Sequence, residues 1–310
     1  MREARKKLEE SRRAGPEDAK RESTVNIKMR DGYESEVRVH KPVSAPSSSP
    51  LIVLCFGGGF VVGSNIQLGP YARAMAKVYG ATVVTLSYRL APEHKFPTAP
   101  NDVWDSVVWL AENASSIGAD PTAGFILGGV SAGGNVTAVT AQRSMKEKLA
   151  HPLTGLWVCI PVLLSDENCP PKYKELFFSR TQNAEAPVFN MDAIKHVDKY
   201  LEADQKSPDY SPFNVEGAHT GLPPTYIQVC GMDPLRDDGL IYEAVLREHG
   251  VKTKMDVYSG VPHGHFSFLP FLTKAQEANF DVIDGVGWLL GKQVNPQKII
   301  QSLAAPPAGA

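Results

Sequence analysis

Cysteine is scarce: the 310 residues hold four, at 55, 159, 169 and 230, with no C-x-x-C spacing among them. Neither a zinc knot nor a disulfide framework is encoded, and Cys55, Cys159, Cys169 and Cys230 are expected as buried free thiols. Excess charge is lacking too. The 32 Lys and Arg nearly balance 34 Asp and Glu, for a formal net charge of −2. The basic footprint of a general nucleic-acid binder is therefore missing. Long apolar runs are absent as well: residues 51–56 are among the longest, against the ~20 residues a membrane-spanning helix needs. Residues 1–15 are charged and hold no apolar stretch, so no secretory signal is read and a cytoplasmic location is expected. In that compartment the Asn135-Val136-Thr137 sequon carries little meaning.

What is present is a globular composition, 43% hydrophobic and 21% charged, well away from the disordered corner. Residues 1–13 read as a polar helix ending at Gly15-Pro16. Residues 24–29 and 34–39 alternate as two strands around a turn at Asp31-Gly32, which makes a hairpin. Beyond a linker at 45–50 the period changes. Residues 51–56 and 81–86 are continuously apolar, as strands covered on both faces should be. Further runs at 124–128, 156–160, 225–230 and 252–258 alternate with helix-like segments at 71–79, 99–112, 132–148, 235–249 and 273–290. Two antiparallel strands followed by six in βαβ order predict an α/β fold: an eight-stranded, mostly parallel sheet with helices on both faces.

One stretch breaks the alternation. Residues 165–221 hold Pro170-Pro171, several aromatics and a helix-like 192–201, too much for a loop. They read as a helical cap inserted between core segments 23–164 and 222–292, with an N-terminal cap helix region at 1–22 completing it. Residues 293–310 are rich in Pro and Ala and are expected as a flexible tail.

The chemistry begins at Gly129-Val130-Ser131-Ala132-Gly133, a G-x-S-x-G with a strand before it and a helix after it. The glycines permit a sharp turn that exposes Ser131, and the helix N-terminus adds partial positive charge where an oxyanion would develop. Serine alone is a weak nucleophile; it needs a base, and the base needs an orienting acid. Asp233 follows the strand 225–230 and His263 follows the strand 252–258. Both stand at carboxyl ends of strands, where open α/β sheets build their sites. Three consecutive glycines, Gly57 to Gly59, follow the strand 51–56 and expose backbone N–H groups suited to an oxyanion hole. Asp237 and Asp238 fall where the next helix begins and are expected to cap it. His263-Gly264-His265 has no carboxylate or cysteine cluster to complete a metal site, and no metal or cofactor is expected.

On these residues the chain resembles the hormone-sensitive-lipase-like branch of the α/β-hydrolases over about residues 20–290. The motifs that carry the resemblance are Gly57-Gly-Gly59, Tyr88 to Glu93 with Phe96-Pro97, Ser131 to Asn135, Asp233 to Asp237, and Pro262-His-Gly264. Among subgroups it is most similar to fungal esterases of polyketide pathways, the versiconal hemiacetal acetate esterases among them. The resemblance implies a serine carboxylic-ester hydrolase with Ser131, Asp233 and His263 catalytic, and Gly58, Gly59 and Ala132 donating to the oxyanion. It makes the Tyr88 to Glu93 segment a structural signature. Two departures stand out: Phe56 where the family usually has His, and Val130 where it has Asp. With Phe at 56, apolar packing is expected to hold the glycine loop. The partner implied is a small ester, short in its acyl group; homodimerisation stays open. A lyase or cyclase using His263 as base is the alternative on the same fold. A non-enzymatic small-molecule receptor is the third reading, and the intact His263 argues against it. His265 is expected to pack or to touch substrate, His94 to lie at the surface. Of the cap aromatics Phe177, Phe178, Phe189, Tyr210 and Phe213, two are expected to line the pocket.

Overall fold

The computed structural model describes residues 2–44, 46–215, 217 and 219–304. The apolar runs become strands: β1 Glu22–Lys28, β2 Glu34–His40, β3 Leu51–Cys55, β4 Thr82–Thr85, β5 Phe125–Val130, β6 Gly155–Cys159, β7 Thr225–Met232 and β8 Thr253–Pro262. They form one eight-stranded sheet in the order β1-β2-β4-β3-β5-β6-β7-β8. β2 runs antiparallel to β1 and β4; all other neighbours are parallel. The expected α/β architecture is formed. β3 shows why its run is continuously apolar. Leu51, Val53 and Cys55 enter one buried cluster while Ile52 and Leu54 enter another on the opposite face. Each fully buried Leu, Ile or Val contributes about 1.5–3 kcal/mol by leaving water.

The parallel register aligns the carboxyl ends of the central strands. Cys55 of β3 lies opposite Gly129 of β5, and Val130 of β5 opposite Cys159 of β6. Residues 56–59 and Ser131 therefore emerge on one edge of the sheet, next to those following β7 and β8. Here one expectation is corrected. β8 does not end at 258; after a register shift beyond Cys230, Met232 pairs with Pro262. Gly260, at φ 73°, is taken up inside the strand, and His263 follows the strand end directly.

All four cysteines are buried and free. The insertion after β6 is built from short helical pieces, Pro171–Leu176, Ser179–Gln182 and Met191–Leu201. Two N-terminal helices, Arg2–Glu10 and Pro16–Ala19, precede the sheet. The Arg2 guanidinium donates to the carbonyls of Val61 and Ala91 and pairs with Glu93. The expected flexible tail is corrected over part of its length. Pro296–Leu303 is a helix capped by the Asn295 side chain, and its Ile299 is fully buried among residues of the helix Gly69–Tyr79. Residues 305–310 of that tail lie outside the described residues.

Candidate active site

Ser131 stands between β5 and the helix Ala132–Lys146 with no intervening loop, at φ 58° and ψ −117°. A non-glycine residue in that region costs on the order of 1–3 kcal/mol, so its surroundings must hold it. Close packing does so. A methyl group on Gly129 would lie 2.2 Å from the Gly133 carbonyl oxygen, and one on Gly133 would lie 2.1 Å from that of Cys55. Only glycine fits at either position. The Ser131 N–H donates to the Cys159 carbonyl at 2.8 Å, tying the elbow to β6.

His263 brings the sequence-selected residues together. Its Nε2 is 3.0 Å from Ser131 Oγ and its Nδ1 is 2.6 Å from Asp233 Oδ2. The Asp233 carboxylate can only accept from Nδ1–H, which leaves Nε2 as the acceptor for the serine hydroxyl. The other carboxylate oxygen, Oδ1, accepts the Leu235 N–H at 2.8 Å. The Asp233 carbonyl accepts Asn183 Nδ2 at 3.0 Å. All three side chains are buried, so this hydrogen-bonded chain lies in a low dielectric where its electrostatics are strong.

The glycine loop packs against the serine. A methyl group on Gly57 would lie 3.2 Å from Ser131 Cβ. Among the described residues the N–H groups of Gly58, Gly59 and Ala132 have no acceptor. The loop is held differently from what was expected. Phe56 does pack, stacked on Tyr88 with ring centroids 4.1 Å apart. Polar anchors accompany it: the Tyr88 hydroxyl donates to the Phe56 carbonyl at 2.7 Å, and buried Gln67 brackets Gly57. No local pattern in the sequence marks Gln67, because its side chain reaches a backbone group 10 residues away.

Beside Ser131 opens a cavity of about 180 Å³, lined by Gly59, Phe60 and, from the cap, Phe189, Leu201 and Tyr210. Of the five cap aromatics singled out in the sequence, Phe189 and Tyr210 reach it. Phe177 and Phe178 carry the Arg180 and Arg236 guanidinium groups, and Phe213 packs on His219. Asp237 and Asp238 do not cap their own helix, which corrects that expectation. Asp237 accepts the N–H groups of Phe178 and Ser179 at 2.8 and 2.6 Å. Asp238 accepts those of Leu163 and Leu164 and pairs with Arg180. Both carboxylates brace the cap onto the core. His265 is fully buried and away from the cavity. Its Nε2 donates to the Lys274 carbonyl, and its Nδ1 faces Cys230 Sγ at 3.3 Å. Burial lowers its pKa, with the Lys274 and Pro262 backbone opposing. His94 is exposed, as expected. The sequon residue Asn135 is buried, its amide donating to the carbonyls of Val162 and Tyr210.

Comparison with known proteins agrees with this architecture. A family model described as alpha/beta hydrolase fold matches residues 52–267. An AB hydrolase superfamily protein of Schizosaccharomyces pombe is 36% identical, over 93% of this chain and 85% of its own. A versiconal hemiacetal acetate esterase of Dothistroma septosporum is 32% identical over 86% of this chain and 82% of its own. Among solved structures, a vibralactone cyclase superposes with a TM-score of 0.83 at 32% identity, covering 93% of this chain and 85% of that one. The chain belongs to the α/β-hydrolase fold family, in its hormone-sensitive-lipase-like esterase branch.

Proposed function

From this membership we propose that the protein is a serine carboxylic-ester hydrolase for short-chain acyl esters. Ser131 Oγ attacks the ester carbonyl while His263 Nε2 takes its proton, and Asp233 holds the imidazole tautomer and stabilises the imidazolium. The tetrahedral oxyanion is held by the N–H groups of Gly58, Gly59 and Ala132. Collapse expels the alcohol, protonated by His263, and leaves an acyl-enzyme. Water, deprotonated by the same histidine, attacks that ester and releases the acid and Ser131.

The observation that carries the reading is the unbroken chain from Asp233 through His263 to Ser131, at 2.6 and 3.0 Å. The idle donors beside it and the esterase among the relatives add support. A compact cavity walled by cap aromatics favours short acyl groups of about two to six carbons over long lipid chains. The test is a p-nitrophenyl acetate burst stoichiometric with enzyme, together with fluorophosphonate labelling mapped to Ser131. Absence of both would end this reading.

A second reading has one specific observation behind it, the cyclase among the structural neighbours. There an internal nucleophile of the substrate, rather than water, would take the acyl group from Ser131 and close a ring. Reaction in ¹⁸O-labelled water separates the two. Hydrolysis places label in the acid product, and cyclisation places none.

A further inference from the structure

The Gln67 side chain meets one glycine of the oxyanion loop at both of its backbone polar groups. Oε1 accepts the Gly57 N–H at 2.6 Å and Nε2 donates to the Gly57 carbonyl at 3.0 Å. Gln67 is itself buried, in the turn before the helix Gly69–Tyr79. Its backbone is held on two sides: its N–H donates to the Ser64 carbonyl, and its carbonyl accepts Arg12 Nη1.

What those two bonds fix follows from peptide geometry. The Gly57 carbonyl and the Gly58 N–H belong to one planar trans unit and point in opposite directions. Fixing the carbonyl against Gln67 therefore fixes the direction of the Gly58 N–H, which has no other acceptor among the described residues. The preceding unit is held at both ends, by Tyr88 at the Phe56 carbonyl and by Gln67 at the Gly57 N–H. Without such anchors a unit between two glycines can rotate at little steric cost. Rotation would turn a carbonyl oxygen toward the place where an oxyanion develops. A hydrogen bond to the carbonyl also polarises the shared unit and strengthens its N–H as a donor.

Resting on the serine-esterase reading, we infer that Gln67 is a positioning residue that locks the 57–58 peptide with its Gly58 N–H turned toward the reacting carbonyl. The role lies in the transition state, where charge develops on the oxygen, rather than in substrate binding.

The test uses the full chain and two variants. Gln67→Met keeps the side-chain length and removes both bonds; Gln67→Glu keeps an oxygen for the Gly57 N–H. Fluorophosphonate titration first counts reactive Ser131, so that kcat on p-nitrophenyl acetate is expressed per active site. Affinity is measured in parallel for a boronic acid, whose serine adduct sets an oxygen where the oxyanion forms. Gln67→Met should lose about 10–100-fold in kcat with KM within about twofold, and boronate affinity should fall by a similar factor. Gln67→Glu should recover part of the loss. Wild-type kcat per labelled serine in Gln67→Met overturns the inference. So does failure of both variants to fold, which would assign Gln67 to the fold instead of the loop. If the wild-type protein neither labels nor hydrolyses esters, the serine-esterase reading itself fails and takes this inference with it.

Discussion

Phe189 of the cap lies over the His263 imidazole of the core, ring centroids 4.6 Å apart and planes inclined by 32°. The contact joins the inserted segment to the proposed base and closes one wall of the cavity beside Ser131. Phe189→Ala should admit water and loosen the imidazole, lowering kcat/KM by about tenfold with part of the loss in KM. Steady-state kinetics on acetate and butyrate esters decide it. Unchanged constants would make Phe189 a bystander.

Ser131→Ala should lower kcat by at least about a thousandfold and abolish fluorophosphonate labelling while the unfolding midpoint barely moves. Asp233→Asn should cost about as much, by favouring the wrong tautomer. Asp237→Asn should act on the cap instead. Its carboxylate holds the Phe178 and Ser179 N–H groups, so stability should fall more than kcat. The reverse ranking of the two asparagine variants would move the acid to Asp237.

The two histidines of the 263–265 turn should separate by readout. His263→Ala should lose nearly all turnover. His265→Ala leaves a cavity at a fully buried position and removes the bond to the Lys274 carbonyl, so it should unfold more easily, by about 1–3 kcal/mol, yet keep most of its kcat. Chemical denaturation read beside kinetics distinguishes them, and near-normal activity of His263→Ala would reverse the assignment.

Phe56→Ala removes the ring stacked on Tyr88, whose hydroxyl holds the Phe56 carbonyl. The Gln67 bonds remain. We expect kcat to fall by more than KM rises, and by less than in Gln67→Met, because the bonds that fix the 57–58 peptide survive. Measuring both variants under one condition tests the order; a larger kcat loss in Phe56→Ala would show that ring packing governs the loop.

Acid should loosen the first strand. Burial pushes the Glu22 carboxyl up, but His40 and Arg73, at 3.1 and 3.0 Å, outweigh it and hold the pKa at about 2. A carboxyl lowered by folding stabilises the protein above its unfolded value of about 4.5, and that contribution is lost as pH falls through 2. Glu22→Gln should therefore flatten the fall in unfolding midpoint between pH 5 and about 3. An equally steep fall in the variant would assign the acid sensitivity to other groups.

Much of this was legible in the chain because it is encoded over short distances. Continuous apolar runs announce strands buried on both faces, and the glycines around Ser131 announce a turn that no larger residue can make. Asp233 and His263 could be selected because each follows such a run. Gln67 could not. Its partner is a backbone group, and neither periodicity nor a local motif records a side chain bonding to distant backbone. The same holds for Asp238, whose carboxylate reaches the Leu163 N–H across 75 residues.

By itself, then, the sequence determined the succession of strands and helices along the chain, the elbow at Ser131 and which residues stand at the carboxyl ends of β7 and β8. Those features follow from hydrophobic period and local backbone sterics, which neighbouring residues settle among themselves. Tertiary structure alone decided that β8 runs on to Pro262, that Ile299 anchors a helix in the expected tail, and that Phe189 and Tyr210 face the cavity while Phe177, Phe178 and Phe213 do not. It also decided that Gln67 and Tyr88 hold the glycine loop. Each of these depends on which distant surfaces meet once the sheet has formed, and until then no residue's neighbours are settled.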